Sequence, residues 1–241
     1  MRYARFATVV WILLTLPLAA TGAAGEEPRA TAPAKQAADL PTWYAQTLAR
    51  GDLGLNVTSF WSKGPNFRAE TVIAGHKIVT IVKGPWYYAL DELTGHGLAI
   101  RRDAGAVARD APERRPFGNE YETLMAQGAE KVGQDTLRGR PIEVYRITDG
   151  QGRRELWVTA DDDKLPLRVE IFDRMSGKKG YTEYVVWDTG LTLPDAFFEP
   201  DPDVAFERME FEEYLRRSAE SGAVGPVPVL YTTLLHKAEG R

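Results

Sequence analysis

The sequence predicts an α+β protein built on one large antiparallel sheet. Three observations carry this prediction. Apolar and polar residues alternate in about eight short runs, the turns between those runs are rich in Gly, Pro and Asp, and two helix-like segments interrupt the series. With 241 residues the chain is long enough for one large domain with its own hydrophobic core.

The N-terminal residues have the pattern of a secretory signal peptide. Arg2 and Arg5 precede an uncharged apolar run over residues 6–20, and a stretch of small residues follows. The run is shorter than the roughly 20 residues of a membrane-spanning helix, so we expect cleavage near Ala24 and not a transmembrane anchor. No Cys lies near this position, which argues against a bacterial lipid anchor. We therefore expect an exported, periplasmic protein.

Composition then limits the partners and the chemistry. Removing Arg2 and Arg5 with the signal peptide takes the formal net charge from −4 to −6, so nucleic acid is not an expected partner. The chain has no Cys, which excludes thiol catalysis, cysteine zinc sites and iron–sulfur clusters. The expected division is a signal peptide (1–24), a flexible leader (25–39), a folded domain (40–202) and a C-terminal extension (203–241).

The first half of the domain is predicted to be a short helix followed by a meander of strands. The helix covers "PTWYAQTLARGD", where Trp43, Tyr44 and Leu48 would form an apolar stripe. Four strands follow, in "LNVTSFWS", "NFRAETVIAG", "HKIVTIVKG" and "WYYALDEL". The charged stretch "RRDAGAVARDAPERRPFGN" then indicates an exposed crossover.

The second half repeats the order of helix and strands. Asn119 can cap a helix over "EYETLMAQGAEKVG". Alternation returns in "DTLRGRPIEVYRIT", "RRELWVTA", "KLPLRVEIFD" and "GYTEYVVWD". In the extension, "AFERMEFEEYLRRSAES" predicts an amphipathic helix and "VPVLYTTLLHK" a final strand.

This order of elements resembles the LolA/LolB superfamily of periplasmic lipoprotein carriers, which includes RseB-like sensors. The resemblance covers roughly residues 40–202 and rests on "LWVTADDDKLPLRVEIF" and on "YTEYVVWDTGLTLPDAFFEP". It implies a strongly curved, open antiparallel β half-barrel whose concave face is covered by helices, with a cavity for acyl chains between them. It also implies a monomeric carrier or chaperone of the bacterial envelope, without a cofactor. The implied partners are the acyl chains of a lipid or lipoprotein and an envelope membrane protein.

Strand alternation assigns side chains to that concave face, because every second residue of a strand faces the same side. The predicted ligand-binding residues are Trp61, Phe67, Trp86, Tyr88, Val158, Val169, Ile171 and Tyr184. The predicted lid residues are Trp43, Tyr44, Leu124 and Met125. An ordinary core without a ligand is the alternative, since the same side chains would also pack in a closed protein.

Two further surfaces are expected to contact other groups. Trp157, Phe172, Tyr181 and Trp187 would form an aromatic patch on the opposite face, and we hypothesise that the C-terminal extension covers it. If the extension lies elsewhere, the patch is better explained as a partner-docking surface. The crossover arginines could meet a lipid head group or a membrane partner, although a solvated loop is the simpler explanation. These arginines are Arg101, Arg102, Arg114 and Arg115.

No catalytic or metal-binding motif is evident, so we expect a binding protein and not an enzyme. The three histidines fit no HExxH or related pattern, and the acidic turn 161–163 lacks the spacing of a calcium loop. Two alternatives stay open. One is an RseB-like sensor or interaction module on the same fold. The other, less favoured, is a hydrolase that uses carboxylates such as Glu143 and Glu170.

Overall fold

The computed structural model describes residues 40–51, 54–110, 114–222, 224–225 and 227–236. The predicted signal peptide and leader lie outside these residues. Within them, no helix is both long enough and apolar enough to cross a membrane.

Twelve strands form one open sheet in the described part of the chain. The strands are β1 (Thr42–Gly51), β2 (Gly54–Lys63), β3 (Asn66–Ile73), β4 (His76–Lys83), β5 (Trp86–Asp91), β6 (His96–Arg101), β7 (Glu130–Leu137), β8 (Arg140–Thr148), β9 (Gly152–Thr159), β10 (Pro166–Asp173), β11 (Lys179–Thr189) and β12 (Phe206–Met209). Their order across the sheet is β12-β6-β5-β4-β3-β2-β1-β11-β10-β9-β8-β7. Every neighbouring pair is antiparallel except β12 with β6. The predicted α+β class with an open, mainly antiparallel sheet is therefore confirmed.

Three α-helices accompany the sheet in these ranges: α1 (Ala104–Asp110), α2 (Glu120–Ala126) and α3 (Phe211–Ser221). The crossover, residues 102–119 between β6 and α2, contains α1, which the sequence pattern did not predict. Residues 195–198 and 232–234 form short 3₁₀ turns. The side of the sheet that packs against α2, the crossover and the C-terminal residues is called the covered face below, and the opposite side the outer face.

Cross-strand register places large apolar side chains in rows on the covered face. Phe67 of β3 lies opposite Val82 of β4, Val82 lies opposite Tyr87 of β5, and Tyr87 lies opposite Ile100 of β6. All four are almost completely buried. Short turns of the predicted kind set this register. The turn after β4, for example, has Gly84 at φ +54°, in the left-handed region that favours glycine.

The covered face has two separate hydrophobic cores. The first core lies over β1 to β6 and β11, and the crossover and residues 224–235 complete it. The second core lies over β8 to β10 beneath α2, whose Leu124 is buried in it. Because no second sheet lies against this one in the part of the chain that the structure describes, these helices, loops and C-terminal residues are what keep water from its apolar side.

The prediction of an N-terminal helix is wrong, because these residues form β1. Every residue of β1 pairs with β2, and most also pair with β11. Burial alternates along the strand: Trp43, Ala45 and Thr47 are buried, whereas Tyr44 is not. A period of two indicates a strand, and pairing on both sides outweighs the local helical pattern.

Other elements also differ from the predictions. The predicted helix from residue 120 ends at Ala126, because the chain turns through Gly128 (φ +86°) into β7. β6 and β12 were not predicted, β7 was divided between the predicted helix and the predicted strand over 135–148, and the final strand predicted in 227–237 is absent from its described residues. Two prolines in and beside that stretch lack the N–H groups that a strand ladder needs.

Candidate functional site

The structure brings five of the eight predicted ligand-binding residues to the covered face. Phe67 and Tyr184 belong to the first core, Val158 and Val169 to the second, and Ile171 follows Val169 on the same face of β10. Phe67, Tyr184, Val158 and Val169 pack within cores that the covering segments complete, whereas Ile171 belongs to neither core. Their role in binding a ligand stays a prediction.

Trp61, Trp86 and Tyr88 lie on the outer face instead. Phe67 is opposite Ser62 in the β2–β3 register, so Trp61, one residue earlier, faces the other way. There it packs against Phe197, with ring centroids 5.4 Å apart. The assignment failed because aromatic side chains occur on both faces of these strands. Alternation shows which residues share a face, but not which face is covered.

Outer-face side chains of β5 contact side chains of the edge strand β12, which pairs with β6. The ring of Tyr88 lies 5.3 Å from that of Phe206, and the Arg208 guanidinium lies 5.6 Å from the ring centroid of Trp86. The buried aromatic residue of β5 is Tyr87, which was not among the predicted site residues.

The predicted lid differs in three of its four residues. Leu124 does cover the sheet, at 3% exposure, but its neighbour Met125 is 40% exposed and points away. Trp43 belongs to β1 and is part of the first core. Tyr44 faces the outer side, where its ring lies 5.3 Å from that of Trp61. Helical spacing explains the difference between Leu124 and Met125, because adjacent residues of a helix point about 100° apart.

Aromatic rings form the centre of the first core. Phe117 of the crossover stacks on Phe60 at 5.4 Å and on Trp187 at 5.7 Å, while Tyr231 of the C-terminal extension contacts Phe67 edge-on at 5.4 Å. The chain of rings therefore runs from β3 to β11 through two segments that do not belong to the sheet.

A β-bulge brings Trp187 into this core. The register between β1 and β11 shifts between Gln46 and Thr47, so that both Tyr184 and Trp187 face the covered side. Strict alternation would place them on opposite faces, which is why Trp187 was predicted on the outer face. Their rings stack with centroids 5.1 Å apart.

Polar groups are enclosed between the sheet and the crossover. The Arg115 guanidinium lies 4.8 Å from the ring centroid of Trp43 and 5.2 Å from that of Trp187, and burial lowers its pKa. Nearby, the Tyr184 hydroxyl donates a 2.6 Å hydrogen bond to Glu120 Oε1, and burial raises the pKa of Glu120. Glu120 Oε2 is buried without a hydrogen-bond partner in the described part of the chain. These contacts attach the start of α2 to β11.

The other crossover arginines do not form one cationic surface. Arg102 is buried in an ion pair with Asp110, and its Nε donates to the carbonyl oxygen of Leu234 at 2.5 Å. Arg114 is half exposed and pairs with Asp163 at 2.6 Å. Arg101 is exposed, 3.6 Å from a carboxylate oxygen of Glu210. The group is therefore divided between buried and solvated positions.

The hypothesis that the C-terminal extension covers the outer aromatic patch is wrong, because residues 224–225 and 227–235 pack on the covered face. Trp157 and Tyr181 stay on the outer face, with Arg168 between them at 5.5 and 5.3 Å from the ring centroids. A cavity of about 390 Å³ lies beside this group. Its lining residues are Arg50, Arg153, Glu170, Ile171, Phe172, Lys179, Gly180 and Tyr181. A partner-docking role for this surface stays a prediction.

The structure does not bring the two candidate catalytic carboxylates together. Glu143 faces the covered side and accepts hydrogen bonds from Lys131 at 2.7 Å and Lys164 at 2.8 Å, whereas Glu170 faces the outer side and pairs with Arg168. Within the described residues, no group of three or more His, Cys, Asp or Glu side chains could hold a metal ion.

Comparison with known proteins gives structural similarities only. No family model matches the chain, and no curated protein matches it. Solved structures do: a conserved protein from Thermus thermophilus has a TM-score of 0.49 at 16% identity, over 72% of this chain and 93% of that one. The MucA/MucB complex of Pseudomonas aeruginosa has a TM-score of 0.42 at 14% identity, over 71% of this chain and 60% of that one.

A domain from Vibrio parahaemolyticus named for outer membrane lipoprotein sorting also matches, with a TM-score of 0.30 at 12% identity, over 66% of this chain and 89% of that one. At these identities nothing about ligand or partner passes from those proteins to this one. These similarities concern the open, mainly antiparallel α+β sheet alone.

Proposed function

We propose that the protein binds acyl chains of a lipid or lipoprotein on the covered face and acts as a carrier in the periplasm. One observation supports this most directly. The apolar side of the sheet is covered by short helices, the crossover and the C-terminal residues, and in the described ranges none of these pairs with the strands beneath it. Such covers can move apart while the strand ladder stays intact.

The chemistry of the first core suits an aliphatic ligand. Its hydrophobic side chains include Phe60, Phe67 and Val82, which carry no charge that would recognise a polar head group. Each methylene group buried there contributes about 0.8 kcal/mol. A chain of about fifteen methylenes would reach micromolar affinity after a cost of about 4 kcal/mol for immobilising it.

Binding of a fluorescent fatty acid, cis-parinaric acid, tests this proposal. Phe60 and Trp61 are neighbours on β2 that face opposite sides of the sheet, so they make a matched pair of variants. Phe60→Ser should weaken binding at least tenfold, while Trp61→Ser should leave it within about twofold. Lipid extracted from the purified protein should contain acyl chains. The proposal is wrong if no lipid co-purifies and the probe does not bind at about 100 μM. The binding free energy would then be weaker than roughly −5 kcal/mol.

A sensor or interaction module is the second candidate. It is favoured by the outer-face group of Trp157, Arg168 and Tyr181, which the C-terminal residues leave uncovered. Native mass spectrometry separates the two functions, because a carrier should retain lipid, whereas a sensor should retain a stoichiometric protein partner.

A further inference from the structure

The C-terminal segment, residues 227–235 with the sequence VPVLYTTLL, is the last described part of the first core. It has no charged residue. Val227, Leu234 and Leu235 are buried, and the Tyr231 ring lies 5.9 Å from that of Phe60. The segment therefore presents an apolar strip to the middle of the covered face.

Few backbone hydrogen bonds join this segment to the rest of the protein. The Tyr231 N–H donates to the Tyr87 hydroxyl at 3.2 Å, and the Asp103 N–H donates to the Leu235 carbonyl oxygen at 2.9 Å. The segment pairs with no strand of the described sheet. Apolar contact is therefore the main interaction that holds it, which is also how an aliphatic chain would be held.

Two arginines fasten the end of the segment. Arg109 of α1 donates to the carbonyl oxygens of Thr233 at 2.6 Å and His236 at 3.5 Å, and Arg102 donates to that of Leu234. Arg102 is buried in its ion pair, but Arg109 is partly exposed. These two side chains are called the latch below. Because the latch contacts only backbone carbonyls of the segment, its release leaves the apolar surface of the sheet unchanged.

We propose that the C-terminal segment occupies the acyl-chain site of the first core, and that cargo binds there by displacing it. This inference rests on the proposed function. Removal of the segment alone would expose Phe67, Val82 and Tyr87 to water, which opposes release. An incoming aliphatic chain covers the same side chains, so that one apolar cover replaces another. A short polar or charged ligand could not compensate in this way.

Variants that weaken the attachment of the segment test the proposal. Arg109→Ala removes the hydrogen bond to Thr233 of the segment and the one to His236 just beyond it, and leaves Asp110 its partner Arg102. The probe must displace the segment in order to bind, and in this variant the segment is held less tightly. The Kd for cis-parinaric acid should therefore fall about tenfold. Thr233→Ala is the matched control, since Thr233 is exposed and only its carbonyl oxygen is used. Its Kd should stay within about twofold of the parent protein.

If the segment were only part of the core, Arg109→Ala would lower stability and leave the Kd unchanged or higher, and that result would overturn the proposal. Tyr231→Ala gives a second variant that acts through the apolar contact and not through the latch. It should also tighten probe binding. Unchanged or weaker binding by both variants would count against displacement even if one of them were poorly folded.

Hydrogen exchange on the full-length protein gives an independent readout. Saturating cis-parinaric acid should raise amide exchange at residues 229–236 at least tenfold and leave β4 and β5 protected. If the probe binds while these amides stay protected, the site lies elsewhere on the protein, and the proposed function stands without the displacement. If the probe binds to no variant, both ideas are wrong.

Discussion

The ion pair between Arg102 and Asp110 allows a quantitative test of how the crossover is held. Both side chains are buried, at 2% and 5% exposure, and Arg102 also donates to the Gly84 carbonyl oxygen at 3.0 Å. Asp110→Asn would leave a buried guanidinium without its carboxylate. Removal of one partner of a buried pair costs about 3–5 kcal/mol, and we expect about 3 kcal/mol because the amide oxygen can still accept one hydrogen bond.

For a chain of this size, such a loss lowers Tm by about 6–12 °C. Differential scanning calorimetry at pH 7 measures the shift, and urea unfolding should show a lower midpoint with an unchanged m-value. Asp163→Asn is the control, since its 2.6 Å pair with Arg114 is half exposed on both sides and should contribute less than about 1 kcal/mol. Similar losses for the two variants would refute the assignment of Arg102 and Asp110 as a buried structural pair.

Three other predictions concern the second core and its surroundings. Hydrogen bonds from two lysines and a tyrosine lower the pKa of Glu143 from 4.5 to about 2. Glu143→Gln should therefore destabilise the protein above pH 4.5, and this effect should disappear as the pH falls towards 2. Urea unfolding at pH 7 and at pH 3 checks the direction of the change. Leu124→Ala should cost about 2–3 kcal/mol but Met125→Ala less than about 0.5 kcal/mol, and equal values by the same assay would contradict the orientation of α2. In Gly152→Ala the new Cβ would lie 1.9 Å from the Phe172 carbonyl oxygen, so the free energy of unfolding should fall by more than about 3 kcal/mol. A calorimetric Tm close to that of the parent protein would show that this contact is relieved.

Local signals in the sequence predict the hairpins well. Lys63-Gly64-Pro65 and Lys83-Gly84-Pro85 have the Gly and Pro residues that favour chain reversal, and both connect paired strands. The signals that specify such a hairpin are the turn residues and the alternating residues on either side, and all of them lie within about ten residues of one another. No distant contact is needed to specify them.

Elements that depend on distant partners were not predictable in this way. β1 looks helical by itself, and its strand conformation is stabilised by pairing with β11, where Trp43 lies opposite Thr189. The position of Trp187 depends on a single-residue bulge, which leaves no clear sequence signal. The edge strand β12 is only four residues long, and its Phe206 lies over Gly97, whose missing side chain leaves the space.

The candidate site was only partly predictable for a related reason. The alternation correctly grouped Val158 with Val169, and it also correctly grouped Trp86 with Tyr88, but it could not assign the second group to a face. Tyr231 was missed because its stretch was predicted to be a final strand, in an extension that was expected to cover the opposite face of the sheet. An uncharged run of this kind beyond the last strand indicates burial, although not the place where it packs.

The pairing of β1 with β11, called the seam here, also affects how a newly synthesised chain folds. Hairpins such as β4–β5 close loops of a few residues, whereas the seam joins Arg50 to Tyr181 and must wait for almost the whole domain to be synthesised. We expect it to form late in folding, which pulse-labelled exchange during refolding would detect as late protection of β1. Until then both strands present unpaired edges that could recruit other chains, so the slowest pairing is also the one most exposed to aggregation.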